Sequence, residues 1–370
     1  MACTSHVLAL ILTPSAKYNN LQIKRFRFHW WGKIPRQRNT NNLSTKILGD
    51  VDIIRYLCTA MSRLIDHIAD FLKVNGFELS FQIRHEFDVI FTRTLDGRHT
   101  KVILPLEISA ETIEEAEAES AKADEAIRMI TREAGYPLII TEDRWRSQRQ
   151  MMEARLLAHL EVFSQAYARN CEVRRIEKTE AQEFLNKNHS YGDAACKYRY
   201  GLFLKRHTGH IAQEMRSLGY VQDGKKEAPD DNGNILYEKG LLIAVATFSN
   251  ARKWIKDGQE IRSYEWTRYA SLPDLRVSGG MGKMLKAFIK EVQPDDIMSY
   301  ADLEWSEGEV YERLGFMAEI RKEPVTFVID PQSWERRAIR KSPDKLGMTG
   351  NLFFRNFGSR KFRMKLTEYR

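Results

Sequence analysis

The chain has 370 residues, 43% of them hydrophobic and 29% charged, with a net charge of +8. That length supports two domains with ordinary cores, and the composition is that of a soluble globular protein. The charge leaves two readings open, a basic enzyme and a protein that grips a polyanion. Cys3, Cys58, Cys171 and Cys196 lie far apart with no C-x-x-C pair, which excludes a zinc knuckle or disulfide framework and fits a reducing cytoplasm. The apolar run Val7–Leu12 is too short to span a membrane, so a cytoplasmic protein without a membrane partner is expected.

Residues 1–50 are irregular: Lys24, Arg25, Arg27, Lys33, Arg36 and Arg38 interleave with Phe26, Phe28, Trp30 and Trp31. Such alternation suits either a nucleic-acid grip or an edge strand with a loop. From Asp52 to Val74 apolar residues recur at helical spacing, and Gly76 closes the helix. Strands are expected at Leu79–Thr94 and Lys101–Ile108, joined by the turn Asp96-Gly97. A helix with an acidic face follows over Ala110–Glu133, then a short buried strand, Leu138–Thr141, and a long arginine-rich helix, Arg144–Phe163. Asp88 and Glu107 fall on neighbouring strands with Lys122 on the next helix, a set that can hold a hard divalent cation and an attacking water.

The second half opens with a helix from Lys178, then Asn188-His189-Ser190-Tyr191-Gly192. A strand over Lys197–Lys205 is expected to pair with Gly240–Asn250 around a polar insertion, 206–238. Tyr264–Ser271 reads as a strand, Leu272–Gly282 as a glycine-rich turn, and Met284, Leu285, Phe288 and Ile289 as one face of a helix. Glycines before a helix let backbone amides approach an anion. A strand at Ile297–Tyr300 and a short helix closed by Gly315 complete the unit. Val325–Ile329 is expected to be the last strand. Beyond it Arg336, Arg337, Arg340, Lys341, Arg360, Lys361 and Arg363 form a basic tail with four phenylalanines, a pattern suited to nucleic acid, DNA favoured.

Val277-Ser-Gly-Gly-Met-Gly-Lys283, followed by helix, strand and Tyr-Glu-Arg-Leu-Gly-Phe316, resembles the acyl-CoA-binding core of the GNAT acyltransferase superfamily. The family usually has Arg or Gln where Val277 stands. The resemblance implies that the strands holding Tyr264–Ser271 and Ile297–Trp305 splay apart around a thioester. It further implies that the backbone at Val277, Gly279, Gly280, Gly282 and Lys283 binds the diphosphate of acetyl-CoA or another acyl-CoA. Tyr311 takes the place of the tyrosine that protonates the departing thiolate, Glu265 and Asp302 are candidate bases, and His189 a substrate or proton-transfer residue. The same segment is similar to phage Mom-type adenine-modification proteins.

Gly135-Tyr-Pro-Leu-Ile-Ile-Thr-Glu-Asp-Arg-Trp145 resembles a segment of phage homing-endonuclease-like proteins, in which a Vsr-like nuclease domain precedes a GNAT-like one. Ser109 and the Glu/Ala-rich run 111–125 depart from that pattern, so the nuclease-like part is read as degenerate. The expected fold is therefore α/β: an irregular extension (1–50), a PD-(D/E)XK-like domain (51–165), a GNAT-like mixed sheet flanked by helices (171–330), and a basic segment (331–370). The expected function is phage- or mobile-element-type acyl transfer from acyl-CoA to an amine on or near nucleic acid. The alternatives are a DNA nuclease using Asp88, Glu107 and Mg2+, and a non-catalytic DNA-binding protein.

Overall fold

The apolar stripe that follows residue 63 becomes helix α1 (Leu64–Val74), which buries Leu64, Ile65, Ile68 and Leu72. A glycine at positive φ ends it, Gly76. The structure, a computed structural model, describes residues 63–208, 234–256, 258–339 and 350–368. The readings of residues 1–50, of most of the insertion, and of Arg340 and Lys341 fall outside the described residues. All described residues belong to one unit, 61–370.

Against α1 lies a four-stranded sheet in the order β1 (Leu79–Arg84), β2 (Phe87–Arg93), β3 (Thr100–Leu106), β4 (Leu138–Thr141). The first three strands are antiparallel and β4 runs parallel to β3, which the crossover helix α2 (Ile113–Ala134) permits. Thr112 and Glu115 form a capping box at the start of α2. The run 79–94, read as one strand, is a hairpin instead. His85 and Glu86 turn it at φ 49° and 71°, a conformation that neither residue type advertises. The arginine-rich helix also breaks in two at Gln148, giving α3 (Glu142–Ser147) and α4 (Arg149–His159).

The larger sheet has eight strands. Seven run in the order β13 (Met317–Lys322), β17 (Ser359–Lys365), β12 (Asp296–Asp302), β10 (Gln259–Ser271), β8 (Asn234–Phe248), β7 (Tyr198–Thr208), β6 (Cys171–Arg175). The eighth, β9 (Arg252–Lys256), also pairs with β10. Helix α5 (Lys178–Asn188) follows β6 and α6 (Gly280–Val292) joins the β10 region to β12. Phe288 of α6 stacks on Phe248 of β8 with centroids 3.9 Å apart and meets Tyr198, Tyr200 and Tyr264 edge-on. Burying a ring of that size contributes roughly 1.5–3 kcal/mol. Here mixed α/β sheets are flanked by helices, as expected.

Two smaller sheets beside it were not foreseen. The turn 272–282 contains a strand, β11 (Leu275–Ser278), which pairs in parallel with β5 (Ser164–Tyr167) from the stretch joining the two sheets. And Val325–Ile329 is not the last strand. It contains β14 (Thr326–Ile329), the middle of a three-stranded sheet with β15 (Arg336–Ala338) and β16 (Leu352–Arg355), after which β17 returns between β12 and β13. The three-stranded sheet sends Ile329 and Phe354 into one cluster with Leu104, Ile127 and Ile130 of the first sheet and α2. Strands β15, β16 and β17 of the basic tail are thus part of the fold.

Candidate functional site

The gap between β10 and β12 is built by a fault in a ladder. These parallel strands pair only at Ser263–Asp296, Tyr264–Ile297 and Glu265–Met298. Just beyond, β10 bulges between Trp266 and Arg268 in its pairing with β8, and the strand bends away. Ser299 Oγ bridges the opening, 3.1 Å from the Trp266 carbonyl and 2.9 Å from Tyr311 Oη. Past it a cavity of about 1100 Å³ opens between Thr267–Ser271 and Tyr300–Asp302. The expectation of splayed strands holds.

Tyr311 reaches this gap from α7 (Glu309–Arg313), which is seated by Gly308. That glycine has φ +90°, and a Cβ on it would come within 2.4 Å of the Phe362 ring. Tyr311 stacks on Phe362 at 5.1 Å and meets Trp266 edge-on at 6.3 Å. Burial raises its pKa, so the phenol stays protonated at neutral pH. Ser299 has one hydroxyl proton, which serves either the Trp266 carbonyl or Tyr311 Oη; in the second arrangement the phenol's own proton is free to face the gap.

All four residues expected to do chemistry line the cavity: Tyr311, Glu265, Asp302 and His189. They are not equivalent. The Glu265 carboxylate makes no hydrogen bond or ion pair among the described residues. Arg268, three residues further along β10, donates to the carbonyls of Gly192 and Thr267. Asp302 is held on both oxygens, by Tyr191 Oη at 3.0 Å and by the Glu304 amide at 3.0 Å. Burial, followed by the neighbouring Glu304, raises its pKa. His189 is pushed down to about 4 by burial and then by Arg268 and Arg144, and its Nδ1 accepts from the Tyr191 amide. It is therefore a neutral imidazole at pH 7.

The expected diphosphate loop has a mixed outcome. Gly279, in the left-handed region at φ +77°, caps α6. The amides of the first helical turn, among them Gly280 and Gly282, have no intrahelical acceptor and suit an anion. The Lys283 amide is already bonded to Gly279 O, and its Nζ donates to Ala168 O and Cys171 O, so Lys283 ties the helix to the joining stretch. Val277 is half-buried in the core, and a Cβ on Gly280 would stand 3.0 Å from it. Of this loop only Met281 lines the cavity. The residues present therefore fit a thioester arm in the gap and an anion on main-chain amides, without the side-chain cation the resemblance would supply.

The second candidate lies on the first sheet. Asp88, Glu107 and Lys122 do line one cavity, of about 370 Å³. Both acids have structural partners there. Asp88 accepts from Arg63 at 2.8 Å, and Glu107 accepts from the Leu64 amide at the start of α1 at 3.1 Å. Among the described residues no group of three or more His, Cys, Asp or Glu is placed to hold a metal.

The nucleic-acid face expected of the tail is corrected at Arg336. Its side chain is 8% exposed and forms ion pairs with Asp143 and, at 2.7 Å, Glu304. Lys361 and Arg363 pair with Glu319, each at 2.6 Å, and Arg360 lies 3.9 Å from Glu307. Arg337 is exposed. Ser299, Tyr191, Arg144, Arg155 and Trp305 went unforeseen as site residues. A serine in a strand and arginines on an amphipathic helix carry no signal until the chain brings them together.

No family model and no curated protein matches the chain. Among solved structures it is similar to the NatC complex bound to Gag peptide and CoA (12% identity, TM-score 0.26), covering 54% of this chain and 99% of that one. It is also similar to a histone acetyltransferase HPA2 and related acetyltransferase of Corynebacterium glutamicum (12%, 0.27, 54% and 98%). A third is a GNAT-family acetyltransferase of Bacillus anthracis (14%, 0.24, 53% and 95%). At such identities and TM-scores the strand order, not the likeness, defines the fold.

Proposed function

We propose that the protein is an acyltransferase that moves an acyl group from acyl-CoA to an amine. The observation that carries this is the parting of β10 and β12 directly after Glu265, with Tyr311 at the edge of the opening. When bound, acyl-CoA supplies an acyl group on a thioester, whose C–S bond gives way as the amine N–C bond forms. The exposed edges of Thr267–Ser271 and Ser299–Asp302 hold the arm, and the first turn of α6 holds its anionic end. Glu265 takes the proton of the incoming amine at its unpartnered carboxylate. Tyr311 Oη gives its proton to the leaving sulfur, which the raised pKa keeps in supply. Asp302, fixed by two partners, sets the position of Tyr191.

The test is a thermal-shift titration with acetyl-CoA, joined to an assay of CoA thiol release with small amines and duplex DNA offered as acceptors. A rise in melting temperature with acetyl-CoA and thiol release dependent on one acceptor are expected. No shift at millimolar acetyl-CoA would sink the reading.

A further inference from the structure

One wall of the cavity comes from α3, α4, the end of α5 and Trp305, in the turn after β12. Five of its residues carry a polar side-chain atom that is closed to bulk solvent and has no hydrogen-bond partner among the described residues. They are Arg144 Nη2, Arg155 Nε, Trp305 Nε1, Gln148 Oε1 and Asn188 Oδ1. Folded proteins leave few such atoms, so five around one cavity call for a reason.

The three donors lie together. The Arg155 guanidinium stacks 3.6 Å above the Trp305 ring, and that of Arg144 lies 5.5 Å from the same ring. Arg144 is 2% exposed; its Nε reaches Glu304 at 3.0 Å, while its Nη2 stays 3.7 Å from Asp302. Arg155 donates only to carbonyls, those of Ile139, Glu304 and Trp305, and makes no ion pair among the described residues. Burial, with Arg144 beside it, pushes its pKa down to about 9, and it remains a cation at pH 7. Asp302 and Glu304 offset part of this burial from beyond ion-pair distance, and a guanidinium so placed gains from an anion beside it. The two acceptors have fixed orientations. Gln148 Nε2 donates to Ser190 O at 3.0 Å and Asn188 Nδ2 to Phe184 O at 2.9 Å, so each amide turns its oxygen the other way.

We infer that this wall selects an acceptor in which the amine to be acylated and an oxyanion, carboxylate or phosphate, belong to one small molecule. The oxyanion faces Arg144, Arg155 and Trp305, and N–H groups face Gln148 and Asn188. This rests on the acyltransferase reading.

Matched probes test it with the full chain: common amino acids against their carboxamides, and phosphoethanolamine against ethanolamine. Binding is read by calorimetry and turnover by CoA thiol release with acetyl-CoA. At least one acid-bearing amine is expected to exceed its neutral match in kcat/KM by about tenfold or more. The pair that shows this tells carboxylate from phosphate. Arg155→Gln and Gln148→Ala should each erode that preference while the acetyl-CoA thermal shift stays; Gln148→Ala, which removes no charge, guards against simple misfolding. Equal use of the neutral matches, use of duplex DNA alone, or no acid-bearing amine used while acetyl-CoA binds would overturn the inference. Failure of acetyl-CoA to bind would sink the transferase reading instead, and calorimetry with the same acids would still judge the wall.

Discussion

The two candidate sites differ in what their carboxylates are already doing. On the first sheet, Asp88 answers Arg63 and Glu107 caps α1 through the Leu64 amide. Between β10 and β12, among the described residues, Glu265 lines a cavity with no hydrogen bond to its carboxylate, and the Tyr311 phenol has only Ser299 as a hydrogen-bond partner. Acids that complete the fold are poor candidates for chemistry, because using them would cost their structural bonds. The same residue types, counted from sequence, would look alike at both places.

Four changes break or sharpen that contrast. The largest effect is expected at the gap: Glu265→Gln and Tyr311→Phe should each lower kcat of acyl transfer on the order of 100-fold or more, with unfolding curves unchanged. Loss of both activity and fold would make them packing residues.

Next comes Arg336, the tail residue expected to touch nucleic acid. Arg336→Ala leaves Asp143 buried without its cation and Glu304 with Arg144 alone, and should cost about 3–5 kcal/mol in chemical denaturation. A neutral outcome would place that side chain at the surface after all.

At the acidic pocket the expected effects are smaller. Glu107→Ala should cost about 1 kcal/mol through the lost cap, with transfer unaffected. Asp88→Ala should cost less than ~1 kcal/mol, since its pair with Arg63 is half exposed. Mg2+-dependent plasmid nicking that disappears in Glu107→Ala would reverse the comparison.

The mildest test is pH. Burial pushes His189 down to about 4 and His159 to about 3, each from an ordinary 6.5. Both bind a proton more readily unfolded than folded. Their contribution to stability is whole above pH 6.5 and drains as the pH falls towards 4 and then 3. The melting temperature should drop over that window, and less so in His189→Gln. A flat profile would mean that both imidazoles are freely solvated.

Much of the fold could be read directly. Helical periodicity located α1 and α6, Gly76 and Gly315 marked helix ends, and β-branched runs marked β3, β4 and β12, because each depends on neighbours in the chain. The gap was legible only through a resemblance in the stretch Val277–Phe316. The hairpin at His85-Glu86 was not legible, since positive φ there is imposed by strand pairing and not by residue type.

The sequence by itself therefore determined many of the elements, the mixed α/β class and, through a resemblance, the four residues that meet in the cavity. Tertiary structure alone decided that Arg336 is buried, that the basic tail supplies β17, that β11 pairs with β5, and that Arg144 and Arg155 face the gap. Charge and periodicity describe a residue and its near neighbours. Whether an arginine meets water or a carboxylate depends on a partner more than a hundred residues away, as with Arg144 and Glu304 or Arg336 and Asp143. Only the folded chain brings those partners together.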